Sequence, residues 1–510
     1  MTVVLARSCG AALAMSFFTS AAYADLTAQD VWSDWRDYMV SAGYEVSGDE
    51  SMSGDTLTVS DITMRLQMPD APGGGEITIS SLQLTEQGDG SVAITLPDTI
   101  PMLIQGKSDD GEDYNATINY GLSSSTMNAS GTPGDTRYDF QAAQVTMDLG
   151  TVTLDGEVLP PEIFRANLVL DAVTSVTEMK QGGTREYTQN TQADKLAYDI
   201  AFEDPGEDAD EKGAIKGELR GLQLESKGAL PANIDMENMA ALLADGFAVK
   251  GKFTYLSGMN SIDGTSEGSQ FKVQSSSNGG EIAMVMNAEQ LVYDVSQKDT
   301  SLNIASDDLP MPISLDMEEA AFHLDMPISK SDEVQDFALS LKLRDFTVPE
   351  AIGAMFAGSE ELSKEPANLA LDLSGQAKIL SDYMSPKAVE QLAVSDQPPA
   401  ELHALKINNL LVSIFGTTLT GKGGFTFDNT DTETFDGAPR PEGQAQLNLA
   451  GANALLDKLI EAKVLSKDDA MGMRMMLGMF AVPGEGEDTL TSTIKVDEKG
   501  QVMANGQRLR

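Results

Sequence analysis

Phe337-Ala338-Leu339-Ser340-Leu341-Lys342-Leu343-Arg344 places an apolar side chain at every second position. Successive side chains of an extended chain point to opposite faces, so this run has one dry face and one wet face. An amphipathic helix needs spacings of three and four instead. The same period extends in both directions. Toward the N-terminus it passes through Ala320 to Met326, Glu281 to Val295, Lys250 to Tyr255, Ile215 to Leu224, Lys195 to Phe202, Asn167 to Val176 and Val145 to Leu154. It reaches back to Leu57, Val59, Ile62, Met64 and Leu66. Toward the C-terminus it continues at Leu369, Leu371 and Leu373, from Leu405 to Phe427, and from Thr489 to Val496. The turns between runs are rich in Gly, Asp and Asn, as hairpins require. The expected fold is mainly β with a minority of helix: elongated, curved antiparallel sheet, with amphipathic helices at the ends and between the halves.

The helical exceptions are few. The stretch Asp25 to Gly43 reads as a helix: Thr27 and Asp30 have capping-box spacing, and Gly43 is a natural stop. Val31, Trp35 and Met39 share a face with Trp32 beside them, so this helix is expected to cover one end of the sheet. Asp235 is expected to cap a segment holding Met239, Leu242 and Leu243. Thr347 and Glu350 form a second capping box, with Pro349 in the first turn, and Ser385-Pro386 starts a short helix. Ala452 to Ala462 and Lys467 to Phe480 form a helical pair, capped for its second member by Ser466. A last hairpin is expected across Glu498-Lys499-Gly500, with Gln501 to Gln507 as its second strand.

Composition bounds the compartment and the partners. Residues 1–24 have the form of a secretory signal: Arg7, an apolar stretch from Gly10, and Ala22-Tyr23-Ala24, with cleavage expected between Ala24 and Asp25. Cys9, the one cysteine, lies inside that segment, so a mature chain has neither disulfide nor thiolate metal site. The formal charge is −45, from Lys+Arg 34 against Asp+Glu 79. Such a field repels nucleic-acid phosphates and anionic lipid surfaces. No apolar run after Ala24 approaches the ~20 residues that span a bilayer. The expected location is the periplasm, or outside the cell. Weak similarity between Ser81 to Glu86 and Gly221 to Ser226 suggests two halves, 25–230 and 231–510. No Pro- or Ser-rich linker separates them.

Candidate sites are sparse. His323 and His403 lie in separate strands, too few for a zinc set. Gly264-Thr265-Ser266-Glu267-Gly268 has the nucleophile-elbow spacing, but the flanking strands make it a hairpin tip. Ser269 and Lys272 match S-x-x-K, a spacing that puts them on opposite sides of a strand. The acid runs Asp109 to Asp113 and Asp204 to Glu211 offer oxygen ligands for calcium without an EF-hand spacing, and read as solvated turns. Met471, Met473, Met475, Met476 and Met479 could offer thioethers to Cu(I). Met475, Met476, Met479 and Phe480 share one helical face, which suits core packing. That face, with Trp32, Trp35 and Met39, is also the candidate apolar contact surface. No cofactor motif is present.

Three stretches carry a family resemblance: Val31-Trp32-Ser33-Asp34-Trp35 leading to Gly43-Tyr44, Ser340 to Ile352 with Leu369 to Gly375, and Ala470 to Phe480 with Asp488 to Ser492 and Asn505 to Gln507. Together they resemble the bacterial "domain of unknown function 2125" family of secreted proteins, nearly end to end. More loosely the strands and closing helices resemble AsmA-like and YdgA-like envelope proteins. The resemblance implies a location and a fold type but no activity. The functional expectation is a non-catalytic envelope protein that binds lipid, lipoprotein or another envelope component on an apolar sheet face. A structural or protein-interaction module without lipid is the alternative. A carboxylate-based hydrolase is the third, since distant acids can converge in a fold.

Overall fold

The computed structural model describes residues 25–67, 74–107, 111–203, 211–234, 238–349, 365–385, 387–388, 392 and 398–509. Strand accounts for 65% and helix for 11%, which agrees with the mainly β expectation. Among the described residues 27 strands join one antiparallel sheet. Its pairing is mostly a meander. Phe164–Lys180 pairs with Arg185–Glu203, which pairs with Lys212–Leu230. Where two short strands lie end to end they share a long neighbour: Ala248–Tyr255 and Ser257–Ser266 both pair with Lys212–Leu230. The sheet therefore crosses position 230/231 without a break. The chain exposes 30248 Å², against roughly 18,000 Å² for a compact monomer of this mass. The excess fits an elongated sheet.

Alternation within the long strands slips by one residue at fixed places. Ala172 (φ 53°) and Gly221 (φ 63°) are left-handed residues inside otherwise extended strands. A regular strand would send Leu170 and Val173, three apart, to opposite faces. Both nevertheless join one apolar cluster, as do Leu219 and Leu222. The slips keep the apolar residues on one side while the strand bends.

The opening helix, Ala28–Ser41, covers one end of the sheet. Its capping box is formed: Asp30 N donates to Thr27 Oγ1 (3.1 Å), and Thr27 N donates to Asp30 Oδ2 (3.1 Å). Gly43, at φ 88°, follows the last turn, and Tyr44 N donates back to Met39 O (3.0 Å). Ala28, Val31 and Trp32 pack on Leu57, Val59, Ile62, Leu82 and Leu84, forming the best-buried cluster in the protein. The centre of the buried stripe is Val31 and Trp32 rather than Trp35. Trp32 is 4% exposed, and its Nε1 donates to Glu50 Oε1 (2.7 Å). Trp35 and Met39 are half-buried beside the cluster, Trp35 with its ring 6.0 Å from that of Tyr138. Burial, with the Asp34 charge adding, pushes the Tyr138 hydroxyl up to about 12. The helix also reaches across to the strand at 185. Arg185 makes a bidentate pair with Asp34 (2.7 and 3.0 Å) and lies over the Tyr38 ring. Arg36 pairs with Glu50 (3.2 Å).

The remaining helices differ in detail. Met239–Ala244 is capped by Asn238, whose Oδ1 accepts from Ala241 N, and Leu242 and Leu243 are buried; Asp235 lies outside the described residues. The segment from Glu350 and most of the one after Ser385 also lie outside them. The closing pair is Ala452–Glu461 and Lys467–Phe480, with Ser466 as cap as expected. The last hairpin turns at Asp497 to Gly500, but its second strand stops at Ala504. Asn505 (φ 49°) and Gly506 (φ 82°) then form a further turn.

Two outcomes test this account. Trp32→Ala should destabilise by about 3–5 kcal/mol, as a buried aromatic truncation, and Trp35→Ala by about 1–2 kcal/mol; denaturant titration measures both. The second concerns acid. Hydrogen bonds from Gln29 and Trp32, with the Arg36 charge, hold the Glu50 carboxyl below its ordinary 4.5 against the opposing effect of partial burial. A depressed carboxyl contributes stability that is present above the unfolded value and lost as pH falls through the folded one. Both tryptophans lie on this helix, so their emission should report its release at acid pH. Glu50→Gln should flatten that acid limb; an unchanged limb would discard the linkage.

Candidate functional site: the uncharged face of the sheet

Cross-strand register assembles three long rows. Val295, Phe322, Leu341, Leu371, Leu410, Gly421, Leu447 and Ser492 are successive partners. So are Tyr293, Leu324, Leu339, Leu373, Ile407, Gly423, Ala445 and Ile494. Gln297, Ala320, Leu343, Leu369, Val412, Leu419, Leu449 and Leu490 form the third. On the N-terminal side Ala166, Ile200, Ile215, Ile262, Val273, Ile304 and Ile313 form another. No charged residue occupies any of these positions, in a chain with 79 acids.

The charges sit on the opposite face. Arg165 and Lys216 pair with Asp199, Lys272 with Asp263, Lys252 with Glu281, and Lys342 with Glu319. His323 belongs there too, its Nδ1 2.6 Å from Asp294 Oδ1. Hollows of about 770 and 640 Å³ lie chiefly between residues of these charged rows. Ala201, Ala214 and Ala305 floor the first, and Ala338, Ser374 and Ala404 the second. Both are lined by apolar as well as charged side chains, Phe202 and Phe271 in the first and Phe337, Leu405 and Phe425 in the second.

Burial separates the two ends of the uncharged face. Under the opening helix Val59 and Ile62 are fully buried. Along the rows the leucines are only half-buried, and Phe202, Ile282 and Tyr293 are 49%, 41% and 37% exposed. Among the described residues the opening helix packs on the strands from 45 to 86, and the closing pair meets Thr417–Asp428. Among the described residues no helix makes such a layer over the rows between them. Several aromatic rings lie over a glycine on the neighbouring strand: Phe202 over Gly213, Phe271 over Gly264, and Phe337 over Gly375. The ring takes the space where the missing side chain would stand, which keeps this face continuous and apolar.

The other candidates resolve as follows. Ser266 and Ser269 are the last pair of a two-residue hairpin, with Glu267 at φ 51° and Gly268 at φ 79°. That is a tight turn between strands and not an elbow. Lys272 is engaged by Asp263 (2.9 Å). Asp109, Asp110 and Asp204 to Asp210 lie outside the described residues, and Asp113 pairs with Lys107. Among the described residues no group of three His, Cys, Asp or Glu side chains is placed to hold a metal. His323 and His403 are on different strands, His403 Nε2 lying 3.7 Å from Glu401, beyond hydrogen-bond reach. Ala24 lies outside the described residues, and Asp25 is the first described.

The candidate contact surface divides in two. Trp32 is core, with Trp35 and Met39 packed against it, so this part offers little surface. The methionine face behaves oppositely. Met471, Met475, Met476 and Met479 are 63%, 70%, 56% and 59% exposed, and Phe480 is 40% exposed. Core packing of that face does not hold, because the helix buries Ala470 on its other side instead.

No curated protein and no solved structure matches the chain. Residues 255–509 match the family described as "Uncharacterized protein conserved in bacteria (DUF2125)". The second and third resembling stretches fall inside that match, and the Val31 to Tyr44 stretch falls outside it. The match spans half of the 510 residues, and the protein belongs to this family.

Proposed function

We propose that the protein is a non-catalytic, exported envelope protein whose uncharged sheet face holds the acyl portion of a lipid, or of a lipid-bearing envelope component. One observation carries this reading: rows of leucine, isoleucine and phenylalanine continue across neighbouring strands with no charge, and remain half-exposed. Apolar area left in water forgoes about 25 cal/mol per Å². A face this long exceeds the apolar patches that ordinary soluble monomers expose. An acyl chain suits it, because the rows offer apolar contact along their length without hydrogen-bonding groups to satisfy. The secretory form of residues 1–24 supports export to the periplasm. The acidic opposite face favours solubility and disfavours nucleic acid as a partner.

Native mass spectrometry of gently purified protein should show co-purified lipid. Binding of a fluorescent fatty acid should fall about tenfold or more when Leu371→Lys puts a charge in the middle row, since a buried cation without a partner is costly. Circular dichroism checks that the variant keeps its sheet. Bare protein that also fails to bind the fatty acid would remove the lipid reading and favour a module that binds protein alone.

A further inference from the structure

We propose that the methionine-rich helix, Lys467–Phe480, docks the protein on an uncharged lipid bilayer at the place where lipid reaches the uncharged face. The proposal rests on the lipid reading of that face. Met471, Met475 and Met479 recur every four residues and so form one stripe, 63%, 70% and 59% exposed. The helix itself is well held. Ser466 caps its start, Ala470 is fully buried, and Arg474 reaches to Asp457 (2.7 Å) and Asn453 (3.0 Å) on the preceding helix. The stripe is therefore presented by a fixed helix and is not a sign of loose packing.

Charge selects the occupant. From Ala470 to Gly484 the sequence contains no acid, in a chain of net charge −45. Its one cation, Arg474, is turned toward Asp457. Asp468 and Asp469 stand in the first turn, and Asp457 and Glu461 lie beside Met471, so it is the later turns, from Met475 to Phe480, that can approach an apolar surface without bringing carboxylates against it. The rest of the molecule is repelled by phosphate-rich, anionic surfaces. Flexible, unbranched thioether side chains fit a fluid surface, since they repack at low cost.

Position links the helix to the face. Phe480 O accepts from Ser492 Oγ (2.5 Å), and Pro483 pairs with Leu490. Ser492 and Leu490 are the last members of two uncharged rows. The stripe thus ends where the rows begin. Long-chain lipids have very little free monomer in water, at about 0.8 kcal/mol per methylene. A face that binds them must be loaded from a bilayer, and an apolar helix at its end is placed to make that contact.

Flotation of the full chain with phosphatidylcholine vesicles tests this. The parent should co-float. With vesicles containing phosphatidylglycerol, binding should weaken at low salt and recover as salt screens the repulsion. The double variant Met475→Asp, Met479→Asp changes only exposed side chains, and its circular dichroism should match the parent. Its vesicle binding should fall about tenfold or more, while its affinity for a fluorescent fatty acid in vesicle-free solution is unchanged. A parent that binds the fatty acid but not the vesicles overturns the docking proposal and leaves the lipid reading intact. Equal vesicle binding by parent and variant overturns it as well. Vesicle binding that needs the two methionines, in a protein that binds no fatty acid, upholds the docking surface and removes the lipid reading.

Discussion

A sheet with one dry face has to cover that face, and this requirement governs the molecule. In the first strands the opening helix meets it. Trp32 and Val31 close over Leu57, Val59 and Ile62, and the capping box together with the Asp34–Arg185 pair holds the helix in place. The pair is mostly out of water, its side chains 13% and 16% exposed, so losing either partner would strand a charge. Further along, the alternation continues. The rows beyond Tyr293 are assembled by the same backbone pairing, yet among the described residues no helix lies across them. Among the described residues the protein repeats one strand pattern along its length and covers it with a helix at the start.

Charge segregation follows from the same constraint. Ion pairs such as Arg165–Asp199 and Lys342–Glu319 lie between neighbouring strands on the wet face. Exposed pairs of this kind contribute about 0–1 kcal/mol each. They favour correct register more than they add stability, because a slip of one residue would carry them onto the uncharged face. Acids in excess of these pairs leave the whole particle strongly negative. Net repulsion between copies then opposes association through the apolar rows.

Much of the fold was legible because period two is a local property. Leu339, Leu341 and Leu343 declare their face within five residues, and Thr27, Asp30 and Gly43 declare the ends of a helix. What stayed hidden depends on partners distant in sequence. Asn167 to Val176 reads as one alternating run, yet Ala172 interrupts it, and the slip becomes meaningful only when Val173 meets Ala142 on the neighbouring strand. Trp35 looks central from spacing alone, but it is Trp32 that packs into the cluster on the sheet. The methionine face has the same spelling whether it meets core or water. The burial of Ala470 on the other side decides it, and small residues give a weak signal in sequence. The uncharged rows were hidden as a site for the reverse reason. Each strand shows its own apolar half, and only the register shows that the halves join without a single charge.

The edges of the sheet explain why a face, and not an edge, is left to act. A meander ends in two strands with unpaired backbone groups, which invite pairing with other chains. Here the first strand, Glu45–Ser53, is almost wholly exposed and carries Glu45, Asp49 and Glu50. At the other end the sheet finishes in a short hairpin, Val502–Ala504 with Gln507–Arg508. Acid on one edge and brevity on the other discourage growth of the sheet. The uncharged rows and the methionine stripe beside them are apolar surfaces that the edges do not use. Rigid strand pairing fixes the rows, so their shape does not adapt to each partner. The stripe is made of the most adaptable apolar side chain available. A rigid apolar floor with a compliant apolar margin suits a ligand whose chain is uniform and whose surroundings are fluid.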